Sequence, residues 1–99
     1  GVGPDGHVAS LFPDSSRPDG VEQLITTSDN GFVAHTQTTE FAVLDRLTLT
    51  YEAIEKSRKI MILLWGKRKQ GILGMIEEGG ALPVHQILQM EQSSVWYYS

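Results

Sequence analysis

The spacing of apolar and polar positions changes several times along this chain, and each change marks an element. Residues 60–65, Ile-Met-Ile-Leu-Leu-Trp, form an unbroken apolar run of strand length. A run without polar alternation predicts a strand covered on both faces, as in a parallel sheet. Gly66 breaks it, and residues 67–78 then place Lys69, Ile72, Leu73 and Ile76 on one helical stripe. Gly79-Gly80 ends that helix, Leu82-Pro83 starts a further short turn, and Val95-Trp96-Tyr97-Tyr98 reads as a last strand.

The first half is less regular. Residues 7–12 have the length of a short helical turn, which Pro13 would end by pushing its predecessor out of the helical region. Residues 15–20 are polar, contain Pro18 and Gly20, and read as surface loop. A short strand is expected around Leu24-Ile25, then a turn at Ser28-Asp29-Asn30-Gly31, where Asn-Gly tolerates positive φ. Residues 32–43 are threonine-rich and fit an extended segment, and Arg46-Leu47-Thr48-Leu49-Thr50 alternates as a strand does. Residues 51–58 predict a helix, with Glu52 and Lys56, and Glu55 and Lys59, in the favourable acid-first i,i+4 order. Helix, buried strand, helix and strand in this order make an α/β fold. No internal repeat or low-complexity tract interrupts it.

Composition narrows the functional classes. A chain of 99 residues holds one small domain with a modest core. Its net charge of −4 argues against bulk attraction to nucleic acid, and Trp96, Tyr97 and Tyr98 lack the basic interleaving of a stacking platform. With no cysteine there is neither a disulfide framework nor a thiolate metal site, which fits a reducing compartment such as the cytoplasm. No apolar run approaches the roughly 18 residues of a membrane span, and no targeting segment is visible. The chain starts with Gly1 inside a glycine-rich loop that would ordinarily follow a strand, so it reads as one piece of a larger protein.

The opening GVGPDGHVASLFP contains a literal G-x-G-x-x-G. A dinucleotide loop would need a strand before it, a helix after it, and an acid about 20 residues on at the end of a second strand. Glu22 has that offset but lies in loop sequence, and the Asp5 carboxylate would oppose a pyrophosphate. The other reading is a tight turn that presents side chains. Asp5 and His7 stand two apart, histidine is the natural proton carrier near neutral pH, and an aspartate can orient an imidazole. A third reading makes His7 the cap of a turn and Asp5 the cap of the short helix. Further on, Lys67, Arg68 and Lys69 open a helix at its positive end, where an anion would offset them. A solvated basic turn is the alternative. Arg46 is either a second anion contact or the partner of an acid such as Asp45 or Glu52. His35 and His85 have no partners at metal-ligand spacing and read as surface or packing residues.

The opening segment resembles closely the loop of the 6-phosphogluconolactonase family, which shares an α/β superfamily with the glucosamine-6-phosphate deaminases. Ser10-Leu11-Phe12-Pro13 has the lactonase form of the continuation. Arg46-Leu47-Thr48-Leu49-Thr50, the Gly66 to Lys69 helix start, Ala81-Leu82-Pro83-Val84 and the closing Trp96 strand resemble further family segments in the same order. Two features depart from the pattern: Phe41-Ala42-Val43-Leu44-Asp45 stands where prolines are usual, and the stretch from Phe12 to Arg46 is longer. The resemblance implies the C-terminal part, residues 1–99, of a Rossmann-like three-layer sheet with helices on both faces. It implies hydrolysis of 6-phosphogluconolactone in the oxidative pentose phosphate pathway, without metal or organic cofactor. His7 would be the catalytic base and Asp5 its partner, with Gly3, Gly6, Arg46 and Lys69 binding a small sugar-phosphate substrate. A missing N-terminal segment or a fused dehydrogenase domain would be the partner. A deaminase-like isomerase and a non-catalytic sugar-phosphate-binding fragment are the alternatives.

Overall fold

The computed structural model describes residues 1–13, 26–38 and 41–98. The expected loop at 15–20 and strand at Leu24-Ile25 lie outside the described residues. The chain order is strand β1 (Thr26–Thr27), β2 (Val33–Gln37) and β3 (Asp45–Leu49), helix α1 (Tyr51–Glu55), β4 (Ile60–Trp65), a 3-10 turn (Lys67–Lys69), α2 (Gln70–Glu78), α3 (Pro83–Leu88) and β5 (Ser93–Tyr98). This is a small α/β arrangement with two sheets.

The first sheet, in the order β1-β2-β3, is antiparallel. Its β1–β2 turn is the expected one: Gly31 sits at φ 74° and donates its N–H to the Ser28 carbonyl at 2.8 Å. In β2–β3, Val33 faces Leu49 and His35 faces Leu47 on an outer side, while Ala34, Thr36 and Thr48 are buried on the inner side. Thr50 then caps α1, its hydroxyl accepting from the Ala53 N–H at 3.2 Å and donating to the Gly31 carbonyl at 2.6 Å. The helix is shorter than its sequence suggests. It stops at Glu55, so Lys59 lies beyond it and loses its helical spacing from Glu55.

The second sheet pairs β4 with β5 in parallel, Ile60 opposite Ser93 through Trp65 opposite Tyr98. Parallel strands need a crossover, and α2 and α3 supply it. Ile60, Ile62 and Leu64 point into the core with Ile72 of α2 and Val84 and Ile87 of α3, and Val2 of the opening loop joins them. Here the sequence expectation is corrected. Among the described residues β4 is covered on one face only: Met61, Leu63 and Trp65 are exposed, as are Trp96 and Tyr98 of β5. Among the described residues the helices lie on one side of this sheet, so the second helical layer is not seen. An apolar run marks two apolar faces; it does not say that this chain covers both.

The segment after the opening glycines also differs. Residues 7–12 form no helical turn. The Leu11 N–H bonds the Val8 carbonyl at 2.9 Å in a tight turn, with Ala9 at φ 51°. A residue in the left-handed region cannot continue a right-handed helix.

Candidate active site

The opening residues build a compact cradle around His7. The Gly6 N–H donates to the Gly3 carbonyl, and the Gly3 N–H to the His7 carbonyl, both at 2.9 Å. Gly6 turns the chain at φ 86°, a conformation that glycine adopts without a Cβ penalty. Its carbonyl accepts the Val84 N–H of α3 at 3.1 Å, which docks the loop on the helical layer. Gly3 is required for a different reason. A Cβ there would lie 2.0 Å from His7 Cε1, so the imidazole occupies the space a side chain would take.

Asp5 reads both ends of His7. Its Oδ1 accepts the His7 backbone N–H at 3.1 Å and meets ring Nδ1 at 2.5 Å. A carboxylate acceptor at Nδ1 places the neutral ring's proton on that nitrogen and leaves the Nε2 lone pair free. Phe12 and Phe41 wall the ring, their centroids 4.9 and 5.1 Å from it, with Phe41 edge-on. His7 is therefore fixed by a carboxylate, a glycine and two aromatic rings, while one nitrogen remains for chemistry.

The cations approach from two other elements. Arg46 is on the inner side of β3, cross-strand from Thr36, and its guanidinium sits 5.6 Å from the centroid of the Phe12 ring. Its Nε donates to the Val43 carbonyl at 2.8 Å, so neither Asp45 nor Glu52 is the partner found for that nitrogen. Lys69 ends the 3-10 turn ahead of α2, and its Nζ donates to the Val2 carbonyl at 2.7 Å. The structure thus gathers Gly3, Asp5, Gly6 and His7 in one turn. Arg46 joins through Phe12, and Lys69 through Val2. Lys67 and Arg68 are exposed.

The remaining histidines stand apart from this cluster. His35 Nε2 meets Asp45 Oδ1 at 2.9 Å on the outer face of the first sheet, and Gln37 Nε2 donates to the same oxygen at 2.8 Å. The Gln37 amide, and then the His35 ring, hold the Asp45 carboxyl below its ordinary value. His85 is buried; its Nδ1 accepts the Leu82 N–H at 3.1 Å and its Nε2 meets the Met75 carbonyl at 2.9 Å. Sequence reasoning did not anticipate Phe41 or the buried threonines Thr36 and Thr48. Phe41 carries no spacing signal, because a loop brings it to His7. The threonines did signal themselves weakly, as hydroxyls at inner-face strand positions. No helix among the described residues is long and apolar enough to cross a membrane.

Residues 1–96 match the family model described as glucosamine-6-phosphate isomerases/6-phosphogluconolactonase. A 6-phosphogluconolactonase of Caulobacter vibrioides is 36% identical over 96 residues, covering 96% of this chain and 40% of that protein. A 6-phosphogluconolactonase of Thermotoga maritima is 31% identical, covering 98% of this chain and 39% of that protein. The GDH/6PGL endoplasmic bifunctional protein of Oryctolagus cuniculus is 29% identical over 98% of this chain, which is 12% of its own length. The chain therefore spans about two-fifths of the length of the first two relatives. Those shares give the extent of the match and lend no support to the expected C-terminal placement. No solved structure matches the chain significantly.

Proposed function

The chain belongs to the family of glucosamine-6-phosphate isomerases and 6-phosphogluconolactonases, and from that premise we propose that it carries the catalytic dyad of a 6-phosphogluconolactonase. The reaction is hydrolysis of 6-phosphogluconolactone to 6-phosphogluconate. The observation that carries this reading is the Asp5–His7 pair, in which Nδ1 is engaged and Nε2 has no hydrogen-bond partner among the described residues.

In this mechanism Nε2 of His7 takes a proton from water as the water oxygen attacks the lactone carbonyl. The tetrahedral intermediate collapses with cleavage of the bond to the ring oxygen, which receives that proton from the imidazolium. Asp5 holds the ring in the reactive tautomer and stabilises its transient charge. General base catalysis of this kind is worth about 10² to 10⁴-fold. Lys69 and Arg46 bind the phosphate. Each has donors to spare, since an ammonium has three and a guanidinium five, and each commits one to a carbonyl. Remote binding energy spent on the phosphate then orients the ester for attack. Gly3 and Gly6 form the floor of the substrate site.

On this reading the β4–β5 sheet and its helices are two of the three layers of a Rossmann-like fold. The setting is a cytoplasmic pentose phosphate pathway, with the name of the rabbit relative as a precedent for a fused dehydrogenase. The test is lactone hydrolysis by the chain above the spontaneous rate, with His7→Ala alongside. The expected result is a loss of at least about 10²-fold in the variant. A folded His7→Ala chain that keeps the full rate would sink the assignment.

A further inference from the structure

Ser10 ties the loop that carries His7 to the first sheet by two hydrogen bonds. The Ser10 N–H donates to Thr48 Oγ1 at 2.9 Å, and the Ser10 carbonyl accepts from Thr36 Oγ1 at 2.7 Å. Both backbone groups of Ser10 are thereby satisfied by side chains more than 25 positions away in sequence, 38 and 26 respectively. The two threonines are buried, with exposures of 0% for Thr36 and 5% for Thr48. Thr48 gives its own hydroxyl proton to the Leu49 carbonyl at 2.9 Å, which turns an oxygen lone pair toward Ser10.

Valine has nearly the shape of threonine and suits a buried strand position at least as well. A hydroxyl there costs desolvation unless it is bonded. These two hydroxyls are bonded to the loop, so they serve the loop more than the sheet. What they restrain is visible next to Ser10. Ala9 holds φ 51°, a region disfavoured for a residue with a Cβ, and it lies two positions from His7. Released from the sheet, the turn would relax out of that region and carry the His7 backbone away from Asp5.

We propose that Thr36 and Thr48 are positioning residues for His7. Together they clamp Ser10, hold the turn at Ala9 in its left-handed form, and so keep the Nδ1 side of the imidazole against Asp5. The functional weight of this clamp rests on the reading of His7 as the base.

The test reads the imidazole directly. Side-chain 15N shifts of His7 in mildly alkaline solution, where a histidine is ordinarily neutral, report which nitrogen carries the proton. The wild-type chain should show the Nδ1-protonated form and a Ser10 amide protected from hydrogen exchange. Thr36→Val and Thr48→Val should move His7 toward the Nε2-protonated form that an unrestrained ring prefers. Thr48→Val, which removes the acceptor of the Ser10 N–H, should also speed Ser10 exchange about tenfold, as loss of one hydrogen bond does. Thr36→Ser and Thr48→Ser, which keep the hydroxyl, should retain the wild-type pattern. Folded valine variants with an unchanged His7 spectrum would overturn the clamp, as would serine variants as disturbed as the valine ones. If the valine variants do not fold, the wild type and the serine variants decide. A Ser10 amide exchanging at the rate of an unstructured peptide, while β3 stays protected, overturns the proposal. None of these readouts needs turnover. Absent lactone hydrolysis would defeat the functional reading alone, and an unmoved His7 spectrum the clamp alone.

Discussion

Gly3 and His7 share one space, and that makes the smallest residue in the loop as consequential as the imidazole proposed as the base. In Gly3→Ala the new methyl would stand 2.0 Å from Cε1 and 2.2 Å from Nδ1 of the ring. The ring must leave Asp5, and a displacement of this size costs about 10²-fold in rate. Steady-state hydrolysis by a folded Gly3→Ala chain checks that loss. The sequence offered Asp5 and His7 as a pair that a tight turn could bring together, but not Gly3 as the room for the ring. It did not announce Phe41, which reaches the ring through tertiary placement. Nor did it announce the positive φ of Ala9, whose neighbour Ser10 is bonded to residues far along the chain. Asp45 gives a prediction at the same scale. Its bonds to Gln37 and His35 lower its pKa in the folded state, so the stability they contribute is present above the unfolded value. That contribution is lost as pH falls through the folded value. Asp45 is exposed to solvent, so the effect is small. Asp45→Asn should melt slightly below the wild type at neutral pH, and the gap should close in acid.

At the scale of elements, the strands and helices of the second half were largely legible, because each runs long enough to show its period. β4 follows an apolar run, α2 an apolar stripe, and Gly79 at φ 76° ends α2 where the Gly-Gly pair predicts. The corner between α2 and α3 was not legible, since its key residue looks unremarkable in sequence. His85 is the third residue of α3 and accepts the N–H of the capping residue Leu82, the part a glutamate or glutamine plays in a capping box. Its other nitrogen bonds Met75 of α2 and so must carry the proton. His85→Ala would leave the Leu82 N–H and the Met75 carbonyl without these partners. It should lower stability by about 1–3 kcal/mol in a denaturant titration. Because Leu82 packs against Gly6, the same variant should also weaken the seating of the opening loop.

For the molecule as a whole, the unusual property is an apolar sheet face open to solvent. Met61, Leu63 and Trp65 line up on β4 beside Trp96 and Tyr98 on β5, and the Trp65 and Tyr98 rings stack at 4.6 Å. Contiguous apolar surface of this kind is sticky. The folded chain should bind an apolar dye such as ANS. Leu63→Lys should reduce that binding while leaving the melting temperature nearly unchanged, because the Leu63 side chain is more than half exposed. The opposite face of the sheet carries the long-range ties. Lys69 reaches Val2, and the Val84 N–H reaches the Gly6 carbonyl. These ties set an order of events. On a ribosome His7 emerges well before Val84, so the turn that holds Asp5 and His7 is made before the helix that fastens it. Until α3 is synthesised and docked, the nascent chain carries an aspartate and a histidine close in sequence whose turn has no helix to rest on.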